Sequence, residues 1–450
     1  MTDILPLLQC LDPYITVTTM KQMSRIIPAI ITMTGRVTML GISRWTEKGG
    51  SYRTIQRFFQ TVIPWGLVFW MFFRQHLLNP DDVYLLAGDE SVVTKAGKET
   101  YGLDRFFSSL YGRPVPGLAF FALALISVKE RRSFPLMVEQ VVRSEEEKAA
   151  AKARAKKKKA KKKSKKGKVG RPKGSKNKDK TRVELTPELR LIKTMVQKLL
   201  MFINGIIPIS YLVLDGHFGN NNALQMTRQC DLHLISKLRY DAALHFPYDG
   251  PYSGSGPYRK YGDKIDYDNI PAQYLKEVYV EDGIQTCIYQ MTMLHKDFAG
   301  SLNIVIIHKT NLKTQALSHV VLFSDDLDLP HDQLIDYYSL RFQIEFNFRE
   351  AKQYWGMEDF MNVSQIAVTN AANLSLFMVN VAYLLLRPFR LINPHFGVLD
   401  LKAHFRGRKY VEETLKLLPQ KPDPILLNLV FDTVARLGGV HYTKLDPNTS

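Results

Sequence analysis

Apolar residues in the first 80 positions recur at helical spacing, with few alternating runs, and predict a helical region over residues 1–80. Within it, ITMTGRVTMLGISRWTEKGGSYRTIQRFFQ has the shape of a helix-turn-helix. One helix reaches about Trp45, Gly49 and Gly50 make the turn, and Ser51 is placed to N-cap a second helix. That helix would present Tyr52, Arg53, Gln56 and Arg57, side chains suited to phosphates and base edges. A helical bundle with a solvated polar face explains the same pattern.

From Val83 the pattern turns to strands. VYLLAGDE is an apolar run ending in acids, and GLAFFALALISV (117–128) and SFPLMVEQVV (133–142) follow, joined by the charged turn KERR. After a low-complexity block, Thr186-Pro187-Glu188 opens a predicted helix over 186–203. A strand (209–219) ending in Asp215-Gly216, a short helix (221–229) and another strand (232–240) come next. Residues 241–300, rich in Tyr, Gly, Pro and Asp, predict a small antiparallel β insertion. Strands at 301–309 and 319–327 precede a region that is helical from Pro330 almost to the end. The expected fold class is α/β, divided as a helical DNA-binding domain (1–80), a core (81–240 and 301–390), a β-rich insertion (241–300) and a C-terminal helical region (391–450). The most apolar stretches, 62–73 and 368–386, are short or interrupted by Asn370, Asn373 and Asn380, so both predict buried helices and no membrane span.

Composition adds one strong clue. The 45% hydrophobic content fits a globular protein, and the net charge of +18 is concentrated: residues 148–180 hold 18 Lys/Arg against one acid, Asp179, so the rest of the chain is nearly neutral. Such a block cannot bury apolar area, which predicts a disordered insertion, and it suits a polyanion whose counterions it displaces. Within it, Gly170-Arg171-Pro172-Lys173-Gly174 resembles an AT-hook, with Arg171 and Lys173 facing A·T-rich minor groove; non-specific phosphate binding and a solubilising spacer are the alternatives. Cys10, Cys230 and Cys287 have no metal-ligand spacing, which predicts a reducing compartment without zinc or disulfides. The opening MTDILPLLQCLDPY has no basic segment followed by an apolar run, so no signal peptide is expected.

Asp89 and Asp215 each close an apolar strand, at the sheet edge where catalytic groups of α/β folds collect. A third acid lies on a later helix, YSLRFQIEFNFREAK (338–352). At about 100° per residue, Tyr338, Arg341, Glu345, Arg349 and Lys352 fall within one arc of about 80°, while Glu350 points elsewhere. A carboxylate flanked by three cations and a phenol makes sense facing phosphates, Glu345 holding a metal and the cations holding the strand. A salt-bridged surface helix is the plain alternative.

The spacing Tyr338-x2-Arg341-x3-Glu345-x6-Lys352 matches the Y-x2-R-x3-E-x6-K signature of the insertion-sequence-4 superfamily of DDE transposases. LLAGDESVVTKAGKETYG and YLVLDGHFGNN resemble that family's first and second acid motifs, in the style of the insertion-sequence-701 branch, and the likeness covers about 83–390. The resemblance implies an RNase H-like core with a β insertion. It also implies two Mg²⁺ ions (or Mn²⁺ in their place) on Asp89, Asp215 and Glu345, activating water and then a DNA 3′-OH for attack on phosphodiesters. Tyr338, Arg341 and Lys352 would bind the terminal phosphates of the transposon end. Double-stranded DNA, as terminal inverted repeats and target, is the implied partner, with a homodimer in the paired-end complex and a cytoplasmic, nucleoid-associated setting in a bacterium. Members that pass through a DNA hairpin can stack an insertion-domain Trp on a flipped base. Trp45, Trp65, Trp70 and Trp355 all lie outside 241–300, so Tyr252, Tyr258 or Tyr261 would take that part.

Two rival functions remain. One is a metal-dependent nuclease on the same core that cuts without joining. The other is a non-catalytic transposon-end-binding protein, whose mark would be a missing carboxylate. A two-carboxylate glycosidase would explain neither the cationic stripe nor the lysine block.

Overall fold

The computed structural model describes residues 4–47, 49–108, 111–149, 153, 179–252, 254–420 and 422–441. The bulk of the Lys-rich block, with Arg171 and Lys173, therefore lies outside the described residues. The chain opens with five helices: α1 (Leu5–Leu8), α2 (Val17–Thr32), α3 (Met39–Trp45), α4 (Tyr52–Gln60) and α5 (Trp65–His76). Thr16, Thr38 and Ser51 each accept a backbone N–H at an N-terminus, the hydroxyl satisfying a donor the helix cannot. Their apolar faces pack into the main core, so this region is fused to the sheet behind it.

The sheet is built from β1 (Tyr84–Thr94), β2 (Asp104–Ser108), β3 (Arg113–Ser127), β4 (Arg132–Val141), β5 (Tyr211–Val213) and β6 (His233–Leu238). It continues with β7 (Leu244–Pro247), β8 (Tyr261–Lys264), β9 (Leu275–Glu281), β10 (Ile284–His295), β11 (Ser301–Asn311) and β12 (Leu317–Ser324). The path runs β2-β3-β1-β5-β6-β12-β11-β10-β7-β8, with β4 on β3 and β9 on β10. The neighbours β1, β5 and β6 are mutually parallel while β3 and β4 return antiparallel. Parallel neighbours need crossover connections. Helix α6 (Pro187–Ile203) leads into β5, and α7 (Asn221–Arg228) joins β5 to β6. This mixed α/β order is compatible with an RNase H-like DDE core. The β-rich segment after residue 240 extends the same sheet: β10 and β11 form one long hairpin, whose turn contains the 300/301 division drawn from the sequence.

Alternation along the strands sorts the interior into two layers. Tyr84, Leu86, Leu212 and Leu214 face the larger core, with the N-terminal helices. Leu85, Ala87, Val213 and Ile235 face a smaller one, covered by Leu334, Tyr337 and Leu340 of α8 (His331–Leu340). After α8 come α9 (Gln343–Tyr354), α10 (Gln365–Ile392), α11 (Val398–Leu415) and α12 (Pro424–Ala435). The 28-residue α10 is longer than the 368–386 stretch read from the sequence and meets the length and composition of a membrane span. It runs instead through the core. Asn370 donates to Phe58, Phe59 and Thr61 carbonyls and accepts the Trp65 indole, while Asn373 and Asn380 donate to Val138 and Pro135. The polar interruptions in the apolar run are thus the ties between this helix, α4 and β4.

Two local expectations need correction. The strand carrying Asp89 does not end there: β1 runs to Thr94, because β3 pairs with it throughout, and only the parallel partner β5 stops. The apolar run ends where burial on that side ends. The helix over 338–352 is also not continuous. Three successive i→i−3 bonds (Phe342 N–H to Ser339, Ile344 to Arg341, Glu345 to Phe342, all 3.1 Å) tighten the chain between α8 and α9. Helix α8 buries its apolar stripe in the smaller core, whereas α9 buries Ile344, Phe348 and Ala351 in the larger one, so the stripe must change sides at 341–342.

Candidate active site

Asp89 lies within β1, and Asp215 lies two residues past the end of its parallel neighbour β5. The two strands pair at Leu86↔Leu212 and Ala87↔Val213, and each acid comes two residues after the last pair. Asp89 continues the alternation of Ala87 within β1, on the side of the layer under α8. Gly88, between Ala87 and Asp89, has no room for a side chain: a Cβ would stand 2.6 Å from the Phe121 ring and 3.0 Å from Leu214. That close approach holds β1 against its neighbours one residue before the acid. Asp215 caps the short 3₁₀ turn Gly216–Phe218, accepting the His217 N–H at 3.1 Å, and its carbonyl accepts the Ser236 hydroxyl at 2.7 Å. Backbone and side chain are both fixed by neighbours.

Glu345 reaches the pair through Arg341. The Arg341 guanidinium, nearly buried, lies 3.3 Å from Glu345 Oε1 and 3.8 Å from Asp89 Oδ2. Tyr338 belongs to the same group, with Arg341 5.9 Å from its ring centroid and burial raising its phenol pKa. Burial pushes the Asp89 carboxyl up to about 6, against the pull of Arg341 and the Glu90 N–H, and the charges of Asp215 and Glu345 add to the rise. Asp89 therefore feels both other acids across a partly dry site.

The remaining predicted residues divide. Lys352 is at the site's margin but donates to the Val92 carbonyl at 2.9 Å and lies 3.8 Å from Glu358, tying α9 to β1. Arg349 is exposed, its guanidinium 4.8 Å over the Phe346 ring, and makes no contact with the acids. On α4, Arg53 and Arg57 are exposed and Arg53 donates to Gln56, away from the carboxylates. Tyr252 and Tyr258 stack on each other at 6.1 Å, and Tyr261 packs on His245. One positioning residue gave no signal in the sequence: Lys95, just past β1, donates to the Glu358 and Phe360 carbonyls and covers the Phe360 ring, anchoring the loop after α9. A lone lysine beyond a predicted strand end carries no periodicity to mark it.

The donor set suits a hard divalent cation: three carboxylates, one of them with its pKa raised by burial. Among the described residues, no three acidic, His or Cys side chains are already gathered at ligand spacing, and Arg341 stands between Asp89 and Glu345. Residues 6–289 match the family described as DDE superfamily endonuclease, a span that includes Asp89 and Asp215 and ends before Glu345. The chain belongs to that family. No curated protein matches the sequence. Membership makes this endonuclease a transposase-type nuclease in general terms, with DNA as the substrate class and divalent metal such as Mg²⁺ as the usual cofactor of such enzymes.

Proposed function

We propose that the protein is a cut-and-paste DNA transposase of the insertion-sequence-4 type, close to the insertion-sequence-701 branch. In this reading Asp89, Asp215 and Glu345 form its metal-binding triad. The observation that supports this reading is the buried Arg341, 3.8 Å from Asp89 and 3.3 Å from Glu345, with Asp215 near enough for its charge to raise the Asp89 carboxyl. Two Mg²⁺ ions bound there would activate the attacking oxygen and neutralise the leaving one. The chain's own part is to hold the acids on rigid elements. Asp215 is fixed by its turn, Asp89 by the Glu90 N–H, and Glu345 by the ties Lys352 and Lys95 make between β1 and the α9 region. Arg341 stands between Asp89 and Glu345, where a bound cation would take over its pairing with the acids and leave it, with Tyr338, to hold a DNA phosphate. Terminal inverted repeats are the cognate DNA, read by α3 and α4 as a helix-turn-helix, and two copies act on paired ends.

Asp89→Asn, Asp215→Asn and Glu345→Gln should each abolish cleavage and strand joining in Mg²⁺ while DNA binding persists. A variant that keeps more than a few per cent of wild-type cleavage is not a member of the triad. The family's endonuclease description favours one second reading, a nuclease that cuts without joining. Incubating precleaved 3′-OH ends with plasmid separates the two, since only a transposase yields joined product.

A further inference from the structure

On the flank of α9 away from Glu345 lies a cavity of about 390 Å³ lined by Arg131, Arg132, Arg387 and Arg390, with Tyr383 and Glu130. Gln343, also at its wall, precedes Glu345 by two residues, roughly 200° around the helix, so this cavity and the carboxylate site lie on opposite sides of α9. The guanidiniums of Arg132 and Arg387 stand 4.0 Å and 5.1 Å from the same Tyr383 ring centroid.

The charges around the cavity do not balance. Arg387 pairs with Glu130 at 2.9 Å and Arg131 with Asp336 at 2.8 Å. Glu350, which accepts the Trp355 indole N–H, is the carboxylate that faces Arg132 and Arg390. Four cations meet three carboxylates, leaving one positive charge. In addition, Arg132 Nε is buried without a hydrogen-bond partner, and such a donor costs free energy until an acceptor meets it. A phosphodiester, with one negative charge and two free oxygens, answers the unbalanced charge, and guanidinium forks are shaped to grip it.

We propose that this arginine pocket seats a phosphodiester of the DNA backbone, a second anchor across α9 from the chemistry. It rests on the reading of the protein as a DNA-processing enzyme. Leu391 lies at the cavity wall and is 89% exposed, so its substitution should perturb the pocket's field and spare the fold. Full-length Leu391→Glu and Leu391→Lys are titrated into a labelled non-specific duplex by fluorescence anisotropy between 50 and 200 mM salt, roughly the range over which phosphate contacts are salt-sensitive. The acidic variant should bind several-fold more weakly than wild type and the basic one several-fold more tightly. Met201→Glu, 66% exposed on α6, should leave affinity unchanged. The double variant Arg387→Gln/Arg390→Gln should flatten the slope of log K against log salt by about 0.9 for every phosphate it no longer neutralises.

If both Leu391 variants bind as wild type, or Met201→Glu weakens binding equally, the proposal is overturned. It is likewise overturned if the arginine variant loses only thermal stability, since the arginines would then merely tie α10 to the β3–β4 turn. Binding of inorganic phosphate by calorimetry, abolished in the arginine variant while its duplex affinity is unaltered, would assign the pocket to free phosphate instead. Wild-type protein that binds no duplex would refute the DNA reading itself. Wild type that binds and cleaves, beside indifferent variants, refutes the pocket alone.

Discussion

Asp89 offers a quantitative handle on the site that requires no DNA. Its side chain is 21% exposed, and burial moves its pKa from the usual 3.8 to about 6. Between those values the folded protein binds a proton that the unfolded chain has released, so stability falls as pH rises through this window. The cost is absent well below pH 4 and fully developed above pH 6. Each tenfold difference in proton affinity corresponds to about 1.4 kcal/mol, which makes the full cost roughly 3 kcal/mol. Asn cannot ionise. Asp89→Asn should therefore gain stability relative to wild type by roughly 2.5 kcal/mol between pH 4 and pH 8. For a chain of 450 residues this amounts to roughly 3 °C in Tm. Paired thermal scans across that range, without metal, isolate the ionisation, because any fixed effect of the substitution on Arg341 packing is present at every pH. Mg²⁺ at pH 8 should stabilise wild type more than the variant. A Tm difference that stays level from pH 4 to pH 8 would refute the argument.

Four further outcomes follow. Arg341→Met should lower Tm, because it leaves Asp89 and Glu345 facing each other unscreened, and should slow cleavage; Lys352→Met, which removes the Val92 tie, should slow cleavage with a smaller loss of stability. Thermal scans beside cleavage rates on an end substrate check both. Replacing 148–180 by a Gly/Ser linker should leave fold and cleavage intact and flatten the salt slope of non-specific binding by roughly 5, if a third of its 18 cations touch phosphate. Asn370→Leu should destabilise by roughly 3 kcal/mol in urea denaturation, because it strands the Trp65 indole and the carbonyls that end α4.

The parts of the fold that were legible in the sequence are those in which one periodicity governs. The hairpin over 117–142 and the capped helix after Thr186 fall within a few residues of their predicted bounds, since alternation and capping are local signals. The extent of β1 was not legible: its second half, Asp89 to Thr94, has β3 as its strand partner, a partner that no pattern within the strand reveals. Nor was the break at 341–342. A helical stripe looks continuous in one dimension even when its two halves pack into different cores, and no Gly or Pro marks the place.

That break bears on the chemistry. In an unbroken helix Arg341 and Glu345 would be ordinary neighbours one turn apart, a surface ion pair worth little. The tightened turn seats Arg341 at the bottom of the site, 7% exposed and within reach of both Asp89 and Glu345. A buried guanidinium between two carboxylates costs desolvation that only good pairing repays, and one of its nitrogens, Nε, has no partner. A surface salt bridge would show neither burial nor an orphan donor. Burial and the orphan donor set Arg341 apart from a surface salt bridge, while the Glu345 side chain is 41% exposed. For Arg349, exposed over Phe346, the surface reading is the one its position favours.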